Sequence, residues 1–235
     1  MTRILYLHGF ASGPSSRKAI FFRDYLQAAG ARVDVLDLAA GDFERLTLTG
    51  QLAVIEQAAA GRPVSLIGSS SGTDHRFSSS VASGDPVSLV GSSMGGYLAA
   101  LYAARHPEVR RAVLLAPSFG FARLWSESLG PARLAEWRAS GFLNVFHYAD
   151  GRERRLGCQL LEDAARYEDF PDVRQPVLIF HGAHDDVVPP QSSEAFAAAH
   201  PNATLEILDS GHELLNVLDY MAPKVAAFLL PAAIP

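Results

Sequence analysis

The chain has 235 residues, of which 49% are hydrophobic and 19% charged, a balance that excludes a disordered chain and suits one large domain or two small ones. Twenty Lys and Arg against 25 Asp and Glu give a formal net charge of −5, with no basic run to mark a nucleic-acid partner. Its single cysteine, Cys158, excludes an intrachain disulfide and a thiolate metal cage, and suits a reducing compartment.

Met1 to Leu7 carries too short an apolar stretch before His8-Gly9 for a signal peptide. The longest late apolar stretch, Val225 to Leu230, is far short of the ~20 residues that span a bilayer. A soluble, cytoplasmic protein with no membrane partner is expected.

In chain order, Ile4–Leu7 reads as a short buried strand, and Arg17–Ala29 as an amphipathic helix that Gly30 closes. Val33–Leu38 is a second strand, and Leu48, Leu52, Ile55 and Ala59 mark a helix ending before Gly61. Val64–Ile67 and Val87–Val90 are further strands, and the latter runs into a strongly helical stretch from Gly96 to Ala104. Ala112–Leu115, Val177–Phe180 and Thr204–Leu208 complete the strands. Ser193–His200 and Glu213–Leu230 are the last helices, with a kink expected at Pro223. Continuous apolar strands alternating with amphipathic helices predict an α/β fold, a mostly parallel sheet flanked by helices.

The 61 residues between Leu115 and Val177 break this rhythm. Phe121–Leu129 and Pro131–Ser140 read as short helices. Leu143–Tyr148 and Arg152–Leu156 read as a hairpin, with Asp150-Gly151 expected in a type I′ turn. Cys158–Tyr167 reads as another helix. Such an excursion after a sheet strand predicts a helical and hairpin cap over the C-terminal edge of the sheet. The organisation expected is one domain over residues 1–235, with a cap insertion at 117–176.

One segment is duplicated. Pro63 to Gly72 (PVSLIGSSSG) recurs as Pro86 to Gly95 (PVSLVGSSMG), identical at eight of ten positions. Only the second copy is followed by a helical pattern. An isolated repeat is not a solenoid, so residues 63–85 are expected to be an extra strand and polar loop. That segment is expected to add an edge strand, pack beneath the sheet, or pair with a second molecule, which leaves a homo-oligomer open.

Gly91-Ser92-Ser93-Met94-Gly95 fits G-x-S-x-G between a strand and a helix. Glycines there permit a strained turn that presents the Ser93 hydroxyl above the sheet. The alternative is a Gly/Ser loop with Ser93 capping the helix. Gly68 to Gly72 fits the same pattern, with Asp74 and His75 close behind. Lacking a following helix, its Ser70 is the weaker candidate.

A serine nucleophile needs an imidazole base, which a carboxylate orients. In this type of sheet the chain order is Ser, Asp or Glu, then His. Asp185 lies in the loop after the strand Val177–Phe180, with Asp186 as its competitor and Asp209 a distant third. His212 follows the last strand, which separates it from the other histidines. The oxyanion of an acyl intermediate needs N–H donors, and the backbone N–H groups of Met94 and Phe10 are nominated. His8 is expected to support the Phe10 loop rather than act as a base. His181 and His184 stand beside Asp185 and Asp186, but no third histidine accompanies them, so no metal is expected.

With these residues placed, the chain resembles the α/β-hydrolase superfamily along nearly its whole length. Within it, Ile4 to Pro14 (ILYLHGFASGP) and Val90 to Tyr97 (VGSSMGGY) are similar to the YqiA-type bacterial esterases. The resemblance implies Ser93 as nucleophile, Asp185 as acid, His212 as base, and carboxylesterase activity on small acyl esters without a cofactor. The insertion at 63–85 departs from that pattern. Thioesterase or serine peptidase activity with the same triad stays open, as does a non-catalytic binding module. Phe119, Phe121, Trp125, Trp137 and Phe142 either line an acyl pocket or pack the core of the cap. Phe119, Trp125 and Trp137 are the pocket candidates carried forward.

Overall fold

The aliphatic runs become strands because each can bury both of its faces, one against each of two helical layers. The structure is a computed structural model and describes residues 1–62 and 86–231. The expected strand Val64–Ile67, Ser70 and the rest of segment 63–85 lie outside the described residues. The first half holds β1 (Arg3–Leu7), α1 (Arg17–Ala28), β2 (Arg32–Leu36), α2 (Leu48–Ala59), β3 (Val87–Ser92), α3 (Met94–Arg105) and β4 (Ala112–Leu115). There follow α4 (Phe121–Ser140), β5 (Phe142–His147), β6 (Arg152–Gly157) and α5 (Gln159–Ala164). The chain then adds β7 (Val177–Gly182), α6 (Gln191–Ala199), β8 (Ala203–Leu208) and α7 (Leu218–Leu229).

Six strands form one sheet in the order β2-β1-β3-β4-β7-β8, with every neighbouring pair parallel. Alternation along each strand divides the core in two. Leu5, Leu7, Leu89, Leu114 and Ile179 pack with Leu52, Leu98 and Phe196 of α2, α3 and α6. Ile4, Tyr6, Val90, Val113 and Phe180 pack with Phe22 and Leu26 of α1 and Met221 and Val225 of α7. Each large side chain buried in this way contributes about 1.5–3 kcal/mol.

The strand order fixes where a site can form. From β1 the chain passes to β2 on one side, then returns through α2 to β3 on the other. The loops leaving β1 and β3 therefore diverge, which opens a crevice at their C-terminal ends.

The segment between β4 and β7 sits against that edge. Its hairpin touches the loop after β1 through Tyr148 N–H to the Ala11 carbonyl, 2.7 Å, and the loop after β2 through Gly157 N–H to the Glu44 carbonyl, 2.8 Å. Gly130, at φ 72° and ψ 166°, divides α4 into the two expected short helices.

Two expectations need correction. The hairpin does not turn through a type I′ turn at Asp150-Gly151, because that turn needs positive φ at both residues and only Gly151 has it, at 64°. Instead Tyr148 to Gly151 form a four-residue loop, with the His147 carbonyl accepting both the Asp150 and Gly151 N–H groups. The final helix does not start at Glu213. Leu214 buries its side chain in the left-handed conformation, φ 54°, and a short 3-10 turn at Leu215–Val217 precedes α7. The α-helix then runs through Pro223.

Candidate active site

Ser93 lies between the last residue of β3 and the first of α3, at φ 54° and ψ −118°. Residues with a Cβ rarely occupy that region, at a cost of about 1–3 kcal/mol. The surroundings hold it there. Its N–H donates to the Leu115 carbonyl at 2.8 Å, while its own carbonyl accepts from Gly96, Tyr97 and Ser118 at 2.9, 3.1 and 3.1 Å. The two glycines of the motif are required for contact. A Cβ on Gly91 would lie 2.2 Å from the Gly95 carbonyl oxygen, and one on Gly95 would lie 2.2 Å from that of Leu7. Ser93 makes no side-chain cap bond to α3, so its hydroxyl is directed elsewhere.

It is directed at His212. Ser93 Oγ lies 3.0 Å from His212 Nε2, and His212 Nδ1 lies 2.8 Å from Asp185 Oδ2. An ionised carboxylate only accepts, so Nδ1 carries the proton and Nε2 accepts from the serine hydroxyl. The structure thus joins the three residues, which lie 119 and 27 positions apart in the chain, into one hydrogen-bonded line.

Asp185 occupies the loop after β7 with its side chain wholly buried. Its Oδ1 accepts the N–H groups of Val187 and Val188 at 2.9 and 2.8 Å. Burial alone would raise its pKa, but hydrogen bonds from His181, His212 and the Val188 N–H outweigh that and hold the carboxyl well below its usual range. Asp186 is exposed. Asp209 is 95% exposed and pairs with His184 at 3.0 Å. Neither competitor takes part in the line.

His181 and His184 separate rather than converge. His184 points to solvent with Asp209, whereas His181 is fully buried. Among the described residues no cluster of three or more His, Cys, Asp or Glu is placed to hold a metal ion. In the sequence His181 presents itself only as a metal-ligand candidate, and its place beside Asp185 emerges from the fold. The available signal was its position at the end of a buried strand, four residues before that aspartate.

The loop after β1 closes the other side of the crevice. A Cβ on Gly9 would meet Ser93 Cβ at 3.3 Å and the Ser92 carbonyl at 3.4 Å. His8 is buried, accepts the Leu38 N–H on Nε2 at 3.2 Å, and donates Nδ1–H to the Gly9 carbonyl at 2.9 Å. Burial lowers its pKa, and with both ring nitrogens engaged by backbone groups it has no nitrogen left to take a proton from Ser93. The backbone N–H groups of Phe10 and Met94 have no hydrogen-bond partner among the described residues. Met94 N–H is also at the positive end of α3.

The aromatic candidates divide. Trp125 is half-buried and meets the Phe10 ring edge-on at 5.0 Å. Trp137 is buried, with its indole N–H on the Leu156 carbonyl at 3.0 Å. Phe119 is buried and stacks on Phe196 of α6 at 4.4 Å. Phe119 and Trp137 are therefore packing residues, enclosed by their neighbours, and Trp125 alone of the three adjoins the loop beside Ser93.

This strand–turn–helix geometry agrees with comparison to known proteins. A model of the alpha/beta hydrolase family matches residues 4–228. The chain belongs to the alpha/beta hydrolase family. The match is to the family as a whole and does not separate the YqiA-type esterases within it. No curated protein matches the chain in sequence. Among solved structures, this hydrolase is similar to Est1E from Butyrivibrio proteoclasticus with ferulic acid bound, TM-score 0.72 and 21% identity over 97% of this chain and 88% of that one. It is similar to a monoacylglycerol lipase from Paleococcus ferrophilus, TM-score 0.67 and 16% identity over 97% and 93%. Mouse alpha/beta hydrolase domain-containing protein 10 gives TM-score 0.72 and 18% identity over 96% and 88%. At these identities the likeness is one of fold.

No helix among the described residues is long and apolar enough to cross a membrane.

Proposed function

We propose that this family member is a serine carboxylesterase that cleaves small acyl esters through an acyl-enzyme. The observation that carries the reading is the line Ser93 Oγ, His212 Nε2, His212 Nδ1, Asp185 Oδ2, at 3.0 and 2.8 Å, ending on a serine held in strained backbone. Such an arrangement serves nucleophilic catalysis and has no evident packing purpose.

In the first half-reaction His212 Nε2 takes the Ser93 proton as Oγ attacks the ester carbonyl. Charge builds on the carbonyl oxygen, and the N–H groups of Phe10 and Met94 receive it. Asp185 stays ionised and stabilises the imidazolium. His212 then returns the proton to the departing alcohol, and the C–O bond breaks. Water repeats the sequence on the acyl-enzyme and frees the acid and Ser93. No cofactor enters. The segment at 117–176 acts as a cap over the crevice, with Trp125 beside the acyl group. The protein acts in the cytoplasm on a small-molecule ester.

Hydrolysis of p-nitrophenyl esters from acetyl to dodecanoyl tests this reading. The wild-type chain should turn over the short members, and Ser93→Ala should lose about 10⁴-fold or more in kcat. Wild-type turnover that survives Ser93→Ala would overturn it.

A further inference from the structure

Asp185 has a second imidazole beside it that the reaction above leaves unused. His181, at the C-terminal end of β7, is fully buried. Its Nε2 donates to the Val188 carbonyl at 2.9 Å and lies 3.1 Å from Asp185 Oδ2, the same oxygen that His212 uses. Both neighbours of Nε2 are acceptors, so the proton sits on that nitrogen. Nδ1 then accepts, at 2.7 Å, from the hydroxyl of Ser193, which is buried in the first turn of α6. One neutral tautomer satisfies every partner, and the ring is held from both nitrogens.

Two consequences follow for Asp185. The Val188 carbonyl that His181 holds belongs to the residue whose N–H binds Asp185 Oδ1, so His181 fixes the turn gripping that oxygen. Its Nε2–H also directs a positive dipole at Oδ2, and two donors divide the negative charge there.

We infer that His181, anchored by Ser193, is a positioning residue that fixes Asp185 Oδ2 in line with His212 and sets how strongly that oxygen pulls on the His212 proton. This rests on the triad reading above. Removing the His181 donor concentrates the carboxylate charge on His212. The imidazolium of His212 is then better stabilised, and the pH below which the base is lost moves upward. The other titratable groups nearby are Lys18 of α1, whose charge senses both Asp185 and Glu213, Glu213 itself next to His212, exposed Asp186, and the exposed pair His184 and Asp209. All of them are unchanged in the variants below.

Labelling of Ser93 by a fluorophosphonate probe, followed by intact mass over about pH 5 to pH 9, reads the base without knowledge of the natural ester. His181→Leu keeps the size and lacks the donor. It should label about tenfold more slowly, with the midpoint of its acid limb raised by about half a unit to one unit. His181→Gln returns an N–H at similar reach and should restore the wild-type midpoint. Equal slowing in both variants with no displaced midpoint would make His181 a packing residue and overturn the inference alone. Wild-type protein whose labelling does not depend on Ser93 would overturn the triad reading beneath it. Should His181→Leu fail to fold, the imidazole ¹⁵N spectrum of the wild-type protein decides. The His181 Nε2–H signal should move in step with the titration of His212, and a signal blind to that titration would overturn the coupling.

Discussion

His8 Nε2 accepts the Leu38 N–H at 3.2 Å, which ties the loop after β1 to the loop after β2. The same ring donates Nδ1–H to the Gly9 carbonyl at 2.9 Å. That carbonyl and the Phe10 N–H belong to one planar peptide unit, so anchoring the oxygen aims the N–H the opposite way. His8 thus orients a backbone donor that it never touches. In the proposed reaction, the His8-Gly9 pair would aim the Phe10 donor at the oxyanion.

His8→Ala should lower kcat on a short ester by about 10²-fold, the order expected on losing one oxyanion donor, with KM little changed. The variant should also change how stability depends on pH. Burial lowers the folded pKa of His8 below its unfolded value of 6.5, so the unfolded chain binds the proton first. The His8 contribution is complete above about pH 6.5 and is lost as pH falls below it. His147, also lowered by burial, acts with the same sign. Melting temperatures measured from about pH 7 down to pH 5 should fall less steeply in His8→Ala than in wild type. Parallel slopes would contradict this.

Asp185→Asn should cost about 10⁴-fold in kcat, because an amide in place of Oδ2 disfavours the tautomer in which His212 Nε2 accepts. Asp186→Asn should stay within a few-fold, since that side chain is exposed and stands outside the line. Asp185 also carries an acid-stability signature. Its folded pKa lies below the ordinary value of 3.8, so its contribution is present above about pH 4 and is lost as pH falls through the lower folded value. Equal kinetic losses in the two variants would place the acid elsewhere.

Much of this architecture was legible because its signals are local. Aliphatic runs such as Val87 to Val90 and Ala112 to Leu115 bury both faces, and that alone identifies central parallel strands. Ser93 was legible from its two glycines, and Asp185 and His212 from their positions at strand ends. What escaped depends on contacts that spacing does not encode. Leu214 leaves the helical region because its side chain is drawn into the core, and nothing at Glu213 announces it. Asp150-Gly151 favours one turn, but the strand register closes at His147 and Arg152 and leaves four residues to span the gap. Trp125 and Trp137 look alike in sequence, and only the fold sets one beside Phe10 and buries the other edge-on against the first.

These two tryptophans should separate experimentally. Trp137→Ala removes a buried ring and its bond to the Leu156 carbonyl, at a cost of about 3–5 kcal/mol of stability. Its preference among acyl chain lengths should stay that of wild type. Trp125→Ala should lower the melting temperature less and change the chain-length profile, because Trp125 adjoins Phe10. Profiles from p-nitrophenyl acetate to dodecanoate beside thermal melts check both. An altered profile in Trp137→Ala alone would reverse the assignment.

The duplicated segment yields the last expectation. β3 and the turn at Ser93 come from the second copy, and β3 is paired on both edges, with β1 and with β4. The central position of the sheet is therefore filled without the first copy. Helix α2 ends at Ala59, and Gly61 turns the chain at φ 70° just before the segment begins. Deleting residues 63–85 joins Arg62 to Pro86 and recreates the sequence Arg-Pro-Val-Ser-Leu found at Arg62 to Leu66. The shortened chain should fold, melt near the wild-type temperature and keep its turnover. In the full chain Ser70→Ala should leave turnover near normal, whereas Ser93→Ala abolishes it. If the segment pairs two molecules, light scattering should report a halved mass after the deletion. Lost hydrolysis on deletion, or Ser70→Ala abolishing turnover that Ser93→Ala preserves, would move the working serine to the first copy.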